Sequence, residues 1–158
     1  RYPITIQEAI ERLTPCYQKL ANQAARAILS GSLKHRAQDE AAATYSLWRD
    51  DKDYLVDWNW EASRIERFVN AVGFPYRGAA VWIRGKLHRI VECRAVEDVV
   101  IENRCPGKVI FVRDGFPTVV CGRGLLEIRK LIDADQGATS LPLAQFRTRF
   151  SSSRGDSE

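Results

Sequence analysis

From residue 78 to residue 132, apolar and polar residues alternate as is typical of β-strands, whereas the apolar residues before them recur at helical spacing. This change of pattern constrains the fold most. Short runs rich in Val and Ile stand at 79–84, 87–96, 108–112, 118–121 and 125–131, and Gly-based turns separate most of them. About five such strands predict a small, partly open barrel of the OB (oligonucleotide/oligosaccharide-binding) type. A barrel is favoured over a flat sheet because closure hides strand edges that would otherwise template aggregation.

The first 31 residues are predicted to be helical. Thr5 and Glu8 have the spacing of a capping box, Thr14-Pro15 predicts a fresh helix start, and Gly31 follows as a stop. The apolar stripe is narrow and rich in Ala, which indicates the edge of a larger body rather than a core of its own. A second, amphipathic helix is predicted after an Asn59 cap and ends at Gly73. With the barrel, these helices define an α+β fold.

Four segments follow from these patterns. Residues 1–31 are the helical edge of a neighbouring domain, 32–58 a connector with an aromatic-acidic strand, 59–132 the OB-like domain, and 133–158 a partly disordered tail. Within that tail Phe146 and Phe150 are able to dock, whereas 151–158 is predicted to be disordered because it is rich in Ser and charge.

The connector ends in an unusual concentration of rings and charges, with the sequence TYSLWRDDKDYLVDW at 44–58. One interpretation is a strand at Tyr54-Leu55-Val56 that turns aromatics to the core, as most aromatics do. The other is a wall for a planar, partly polar ligand, whose face stacks while its rim forms hydrogen bonds. For this second interpretation the candidate binding residues are Tyr45, Trp48, Arg49 and Tyr54, whereas Trp58 and Trp60 are predicted to pack the second helix onto the barrel.

Composition limits the remaining functions. The chain has 24 basic and 20 acidic residues, a net charge of +4, which permits an anionic partner without requiring one. None of the four cysteines forms a C-x-x-C pair, so no metal site is predicted, and Cys16 and Cys121 are interpreted as small core residues. No apolar run approaches the roughly 18 residues of a membrane span, and a reducing, cytoplasmic setting is the simplest expectation. Because the chain opens on Arg1 and contains no Met, we expect a processed or cut piece.

Three short motifs stand in a specific order along the chain. The second helix ends in Gly73-Phe74-Pro75-Tyr76-Arg77-Gly78-Ala79, the loop before the third strand reads Pro106-Gly107-Lys108-Val109, and the last strand begins within Cys121-Gly122-Arg123-Gly124-Leu125-Leu126-Glu127-Ile128. With the D-W ending at Trp58, this order resembles the C-terminal part of the folate-dependent formyltransferases, the methionyl-tRNA formyltransferase superfamily. The resemblance covers about residues 1–132. The Tyr45–Trp58 segment looks more like the sugar N-formyltransferases than the methionyl-tRNA enzymes.

The resemblance implies a parent enzyme that moves a formyl group from 10-formyltetrahydrofolate to the amine of a nucleotide-linked amino sugar, as in lipopolysaccharide and O-antigen biosynthesis. This part would supply an acceptor-side wall, contacts within a homodimer, or both, and it would contact the catalytic domain. One alternative is the tRNA-binding OB-like domain of a methionyl-tRNA formyltransferase, and a second is a purely structural dimerisation module. RNA is a possible partner through the basic barrel residues, although these are spread over strands and turns and interrupted by acids. No membrane partner is expected.

Catalysis in that family depends on an Asn, a His and an Asp of the catalytic domain. Neither His35 nor His88 stands in that motif, so no catalytic residue is assigned to this chain. The isolated chain is therefore predicted to be inert, because the reaction needs a base for the amine proton and donors for the developing oxyanion.

Overall fold

The computed structural model describes residues 3–155, which form two α-helices, two short 3₁₀ helices and one five-stranded antiparallel sheet. The elements are α1 (Ile6–Leu29), 3₁₀ turns at Glu40–Ala42 and Lys52–Tyr54, α2 (Ala62–Val72), β1 (Ala79–Ile83), β2 (Lys86–Val96), β3 (Val109–Arg113), β4 (Phe116–Val120) and β5 (Leu125–Asp133). The α+β prediction is confirmed. None of the helices over residues 3–155 has the length and apolar character needed to cross a bilayer.

Helix α1 begins at the predicted capping box. The Thr5 hydroxyl accepts a hydrogen bond from the Glu8 amide at 3.2 Å, and the Thr5 amide donates to the Glu8 carboxylate at 3.1 Å. The predicted second start at Thr14-Pro15 is wrong, because the helix runs through Pro15 without a break. Thr14 cannot cap a new helix, since its hydroxyl instead donates back to the Ile10 carbonyl at 2.8 Å.

None of the residues of α1 is buried, and its apolar stripe is exposed along most of its length. The stripe includes Leu13, Tyr17, Leu20 and Ile28. Cys16 lies on this exposed helix, so its interpretation as a core residue is wrong, whereas Cys121 is buried as predicted. Both cysteines stand in apolar surroundings in the sequence, but only Cys121, directly after β4, belongs to the core cluster.

Helix α2 covers one face of the sheet. Ala62, Ile65, Val69 and Val72 are buried at the helical spacing expected of an amphipathic helix. The N-cap is Glu61 rather than the predicted Asn59. The helix starts later because the Asn59 amide and side chain bind the Asp57 carboxylate, both at 3.0 Å, and the Ala62 amide donates to the Arg123 carbonyl at 2.8 Å.

The five strands pair in the order β1-β2-β5-β4-β3, so β1 and β3 form the two edges of an open sheet. Two hairpins turn tightly at Arg84-Gly85 and Asp114-Gly115, where all four residues have positive φ, as type I′ turns require. A bulge near Val91 shifts the register between β2 and β5, which adds twist to the longest pair of strands. The predicted count of five strands is confirmed, and the sheet itself does not close.

The two open edges are joined by residues 148–152, which we call the tail strap. At one edge the Phe150 amide donates to the Gly107 carbonyl and the Val109 amide to the Thr148 carbonyl, at 2.8 and 3.2 Å. At the other edge Ser151 and Trp82 exchange two backbone hydrogen bonds of 2.9 Å. The tail strap therefore completes the barrel-like closure that the five strands leave open.

The predicted disorder from 151 onward is wrong for the described part of that segment. Ser151 is buried, and the Ser152 hydroxyl donates to the Val56 carbonyl at 2.6 Å. The reason is that the tail strap supplies backbone partners to two sheet edges, which composition does not reveal. Phe150 docks as expected and is 1% exposed, whereas Phe146 is 55% exposed. Residues 156–158 lie outside the described part of the chain.

Candidate functional site

The aromatic-acidic segment divides into an outward half and an inward half. Tyr45 and Trp48 are 90% and 99% exposed, whereas Tyr54 is 8% exposed and Trp58 is buried against the edge of the Phe150 ring at 5.5 Å. The interpretation that the aromatic residues of this segment face the core therefore holds for Tyr54 and Trp58. Packing within residues 3–155 leaves the two outward rings almost fully exposed.

The turn at residues 50–54 fixes this division. The Asp50 carboxylate accepts hydrogen bonds from the amides of Lys52 and Asp53 at 2.8 and 3.3 Å, and the Asp53 carboxylate accepts from the Asp50 amide at 2.8 Å. This turn replaces the predicted strand, which is reduced to a single parallel bridge between Leu55 and Ala80. Asp50 and Asp53 thus stabilise the turn with their oxygens.

Three of the four candidate binding residues line one cleft. Trp48, Arg49 and Tyr54 surround a space of about 440 Å³ together with Tyr76 and the end of α2. Tyr45 is not among the residues that line it. A cleft of this size is at the lower end for a small-molecule site, and its mixture of rings and one guanidinium suits a nucleotide-sized ligand.

A second and wider depression lies next to this cleft on the outer side of α2. We call it the ring–guanidinium face, and its members are Arg49, Lys52, Trp60, Arg64, Arg67 and Phe68. The guanidinium carbon of Arg64 lies 4.1 Å from the centroid of the Trp60 ring, and that of Arg49 lies 5.8 Å from the Phe68 ring. Trp60 and Phe68 themselves meet edge to face at 5.5 Å. The two rings thus hold two guanidinium groups at the surface.

The cations of this face lack carboxylate partners within residues 3–155. The ion pairs of that part of the chain join Arg77 to Asp51, Arg104 to Asp98 and Arg129 to Glu127. Arg67 makes only a long contact of 3.4 Å with the Ser63 hydroxyl. The carboxylates of Asp50 and Asp53 also line the depression, and both accept backbone hydrogen bonds within the turn. Guanidinium groups that form no ion pair and lie on aromatic rings can bind an anion and stack with a planar ligand.

Sequence reasoning missed this face because it treated Trp60 only as a packing residue. Trp60 does pack against the core with one side. The available signal was the spacing: Trp60, Arg64 and Phe68 follow at i, i+4 and i+8, which places them in one row along a helix surface. With the helix cap predicted at Asn59, Trp60 falls inside the predicted helix. The shared row of these three side chains could therefore have been recognised from the sequence.

A third cleft, of about 630 Å³, lies beside the tail strap and is lined in part by Trp58, Cys105 and Arg149. The Arg149 guanidinium lies 2.8 Å from the Cys105 sulfur. The indole N–H of Trp58 is buried and has no hydrogen-bond partner among the described residues.

Elsewhere burial raises the pKa of the Cys121 thiol to about 12 and also raises that of Cys93, so both stay protonated at neutral pH.

The described residues do not form an Asn/His/Asp centre. His88 is buried on β2 with its Nδ1 atom 3.1 Å from the Lys86 carbonyl, and His35 is exposed in the connector. The two histidines thus lie in different environments, and neither fits a folate-dependent transfer centre, so no catalytic step is assigned to them. Residues 3–155 also hold no group of three or more His, Cys, Asp or Glu side chains placed to bind a metal ion.

Residues 49–145 match the family model described as formyl transferase, C-terminal domain. This match covers more than half of the chain, and the chain therefore belongs to that family. The resemblance drawn from the motifs is confirmed as the C-terminal part of a formyltransferase.

Relatives in other organisms support the same assignment. The chain is 35% identical over 130 residues to a methionyl-tRNA formyltransferase of Roseiflexus sp. (strain RS-1), covering 80% of this chain and 37% of that protein. It is 31% identical over 121 residues to the Roseiflexus castenholzii enzyme of the same name, covering 77% and 37%. A Methylobacillus flagellatus enzyme of that name is 33% identical over 101 residues, covering 64% and 31%. The chain thus spans about a third of the length of these relatives, from 31% to 37%.

A solved structure shows the same fold. HypX from Aquifex aeolicus, in a variant form, superposes with a TM-score of 0.53 at 20% identity, covering 73% of this chain and 20% of that one. At this identity the similarity concerns the fold alone.

Proposed function

We propose that this chain is the acceptor-side domain of a formyltransferase that acts on an aminoacyl-tRNA. The observation that carries the proposal is the shared name of the relatives, methionyl-tRNA formyltransferase, over as much as 80% of this chain. The ring–guanidinium face supports it, because guanidinium groups without carboxylate partners attract a phosphate backbone. This was the first alternative drawn from the sequence, and the relatives favour it over the sugar acceptor.

In this proposal the chemistry occurs on a catalytic domain that α1 contacts. The exposed apolar stripe of α1 is the natural contact surface, since apolar area of this kind gains stability when covered. The donor 10-formyltetrahydrofolate would bind that catalytic domain. The described residues then position the acceptor, and the isolated chain is expected to transfer no formyl group. Measurable formyl transfer by the purified chain would contradict this division of labour.

A nucleotide-linked amino sugar is the second candidate acceptor, which would place the parent enzyme in lipopolysaccharide or O-antigen biosynthesis. One observation favours it: Trp48, Arg49 and Tyr54 line a cleft of about 440 Å³, in which a base could stack and a diphosphate could pair with the guanidinium. The carboxylates of Asp50 and Asp53 are less suited to sugar hydroxyls because both already accept backbone hydrogen bonds.

The two acceptors are separated by titrating the tryptophan fluorescence of the purified chain. The tRNA proposal predicts binding of an unmodified tRNA transcript with an affinity that falls steeply as salt rises. The sugar proposal predicts quenching by a thymidine- or guanosine-diphosphate sugar, with little salt dependence. Absence of tRNA binding at low ionic strength would overturn the first proposal. The homodimer remains a separate prediction, tested by light scattering on the same sample.

A further inference from the structure

We infer that the ring–guanidinium face is a binding site for unpaired RNA nucleotides, with bases stacked on its guanidinium planes and rings and phosphates bound by its cations. The inference rests on the proposed function and names the surface that would hold the RNA. Three of its members, Arg64, Arg67 and Phe68, stand on α2, and Trp60 lies just before that helix. Arg49 and Lys52 belong to the segment at the turn of residues 50–54, and all six line one continuous depression.

The Trp60–Arg64 pair is the centre of the site. At 4.1 Å from the ring centroid the guanidinium is held against the indole, while Arg64 as a residue remains exposed. One side of the guanidinium thus contacts the ring, and its other side and its N–H edge remain accessible. Unpaired bases stack on guanidinium planes as well as on aromatic rings, and the N–H edge matches phosphate oxygens.

The neighbouring groups extend this arrangement along the helix. Arg64 and Phe68 stand one helical turn apart on α2, which is about 5.4 Å of rise, and Trp60 lies just before the helix in contact with both side chains. Arg49 lies over the Phe68 ring, and Arg67 and Lys52 line the same depression. A strand that crosses the face therefore meets two ring-held guanidinium groups and two further cations, which outnumber the two carboxylates of Asp50 and Asp53 in the same depression.

Trp48 adds a free stacking surface at the rim. Its side chain is 99% exposed and makes no ring contact within residues 3–155, yet it lines both this depression and the smaller cleft. A fully exposed indole contributes little to folding, so a contact outside the chain explains it better. Base stacking on one such ring is worth about 1–3 kcal/mol, or roughly a 5- to 150-fold change in affinity.

The same features favour unpaired nucleotides over duplex RNA. Paired bases are already stacked on their neighbours, and duplexes are recognised mainly through backbone contacts and shape. Rings and guanidinium planes give an advantage only where the face of a base is free. A site built from them thus discriminates single-stranded extensions from blunt helices.

The test uses a fluorescein-labelled RNA hairpin with a single-stranded extension, and the same hairpin without it, in anisotropy titrations at several salt concentrations. The variants are Trp48→Ala and Arg64→Ala. Both positions are exposed, so the variants should fold, which circular dichroism verifies. The matched control is Arg113→Ala, because Arg113 is also held over a ring, 5.0 Å from the centroid of Phe111, but on β3.

We expect the wild type to bind the extended hairpin at least about tenfold more tightly than the blunt one. Each variant should bind the extended hairpin about tenfold more weakly than the wild type does. For Arg64→Ala, the slope of log affinity against log salt concentration should also become smaller by about one. The affinity of the Arg113→Ala control should stay within about twofold of the wild-type value. The inference would be overturned if the control lost as much RNA affinity as the two variants, or if neither variant lost affinity. Either result would leave the proposed function standing. Failure of the wild type to bind RNA at all would overturn both, and quenching of Trp48 by a nucleotide sugar would then identify the other acceptor.

Discussion

Replacing Phe150 by Ala tests whether the tail strap is part of the folded domain. The Phe150 ring is 1% exposed, meets Trp58 edge to face at 5.5 Å, and lies where the tail strap crosses between the two sheet edges. Phe→Ala in a packed core costs about 3–5 kcal/mol, which includes both the lost apolar burial and the cavity that remains. The lost ring pair accounts for about 0.5–1.5 kcal/mol of this cost.

We therefore expect Phe150→Ala to lower the free energy of unfolding by about 4 kcal/mol, a large part of the total for a domain of this size. The measurement is urea unfolding followed by tryptophan fluorescence, to which the neighbouring Trp58 contributes. Phe146→Ala is the matched control, since it removes the same ring four residues earlier at a position that is 55% exposed, and it should cost less than about 0.5 kcal/mol.

The reasoning would be refuted by a loss below about 1 kcal/mol for Phe150→Ala, or by equal losses for the two variants. The first result would mean that the tail strap detaches freely from the sheet in solution. The second would mean that the ring at 150 is no better packed than an exposed one. Either outcome would restore the sequence-based prediction that the tail is disordered.

Three further predictions concern the rest of the domain. Gly122→Ala should destabilise by more than about 2 kcal/mol in thermal unfolding, because a Cβ there would collide with a backbone carbonyl of the segment that leads into α2. The pKa of Asp98 is lowered, chiefly by the hydrogen bond from Arg104. The ionised Asp98 carboxylate therefore makes its full contribution to the free energy of unfolding at neutral pH, and this contribution is lost as the pH falls through the lowered pKa. Asp98→Asn should thus cost about 1 kcal/mol or less at neutral pH and flatten the acid side of the stability curve. In alkylation followed by mass spectrometry, Cys16 should react in the native protein, whereas Cys121, buried and with a raised pKa, should react only after unfolding; early labelling of Cys121 would contradict its place in the core.

Local patterns in the sequence predicted most of the elements. The capping box at Thr5, the amphipathic face of α2 and the Gly-based hairpin turns each depend on residues that are close in sequence, so spacing alone identifies them. The errors occurred where distant partners decide the outcome. Asn59 fails as a cap because Arg123, more than sixty residues later, accepts a hydrogen bond from Ala62.

The candidate site shows the same limit more sharply. Trp48 and Trp58 are the same residue type ten positions apart, and one is exposed while the other is buried. Sequence reasoning separated these two, with Trp48 in a ligand wall and Trp58 in the packing of the second helix, and their exposure agrees with that. It also grouped Tyr54 with Trp48, although Tyr54 is 8% exposed, because the turn at residues 50–54 that directs this ring inward depends on hydrogen bonds that spacing does not reveal.

The position of the ring–guanidinium face on α2 has a consequence for how the domain can change. One side of the helix is anchored in the core by Ile65, Val69 and Val72. The other side carries Arg64 and Phe68, each next in sequence to one of these buried residues. Arg64 and Phe68 are thus held on a helix that cannot shift without disturbing the core, whereas Trp48 and Arg49 stand directly before a turn whose acids fix its shape locally. Substitutions at Trp48 or Arg49 should alter which nucleotide is preferred at little cost in stability, because exposed positions outside the core tolerate change. Substitutions on the buried side of α2 should lower stability first and affinity only as a result. A variant such as Val69→Ala that weakens RNA binding without loss of stability would show that the face is positioned by something other than the core.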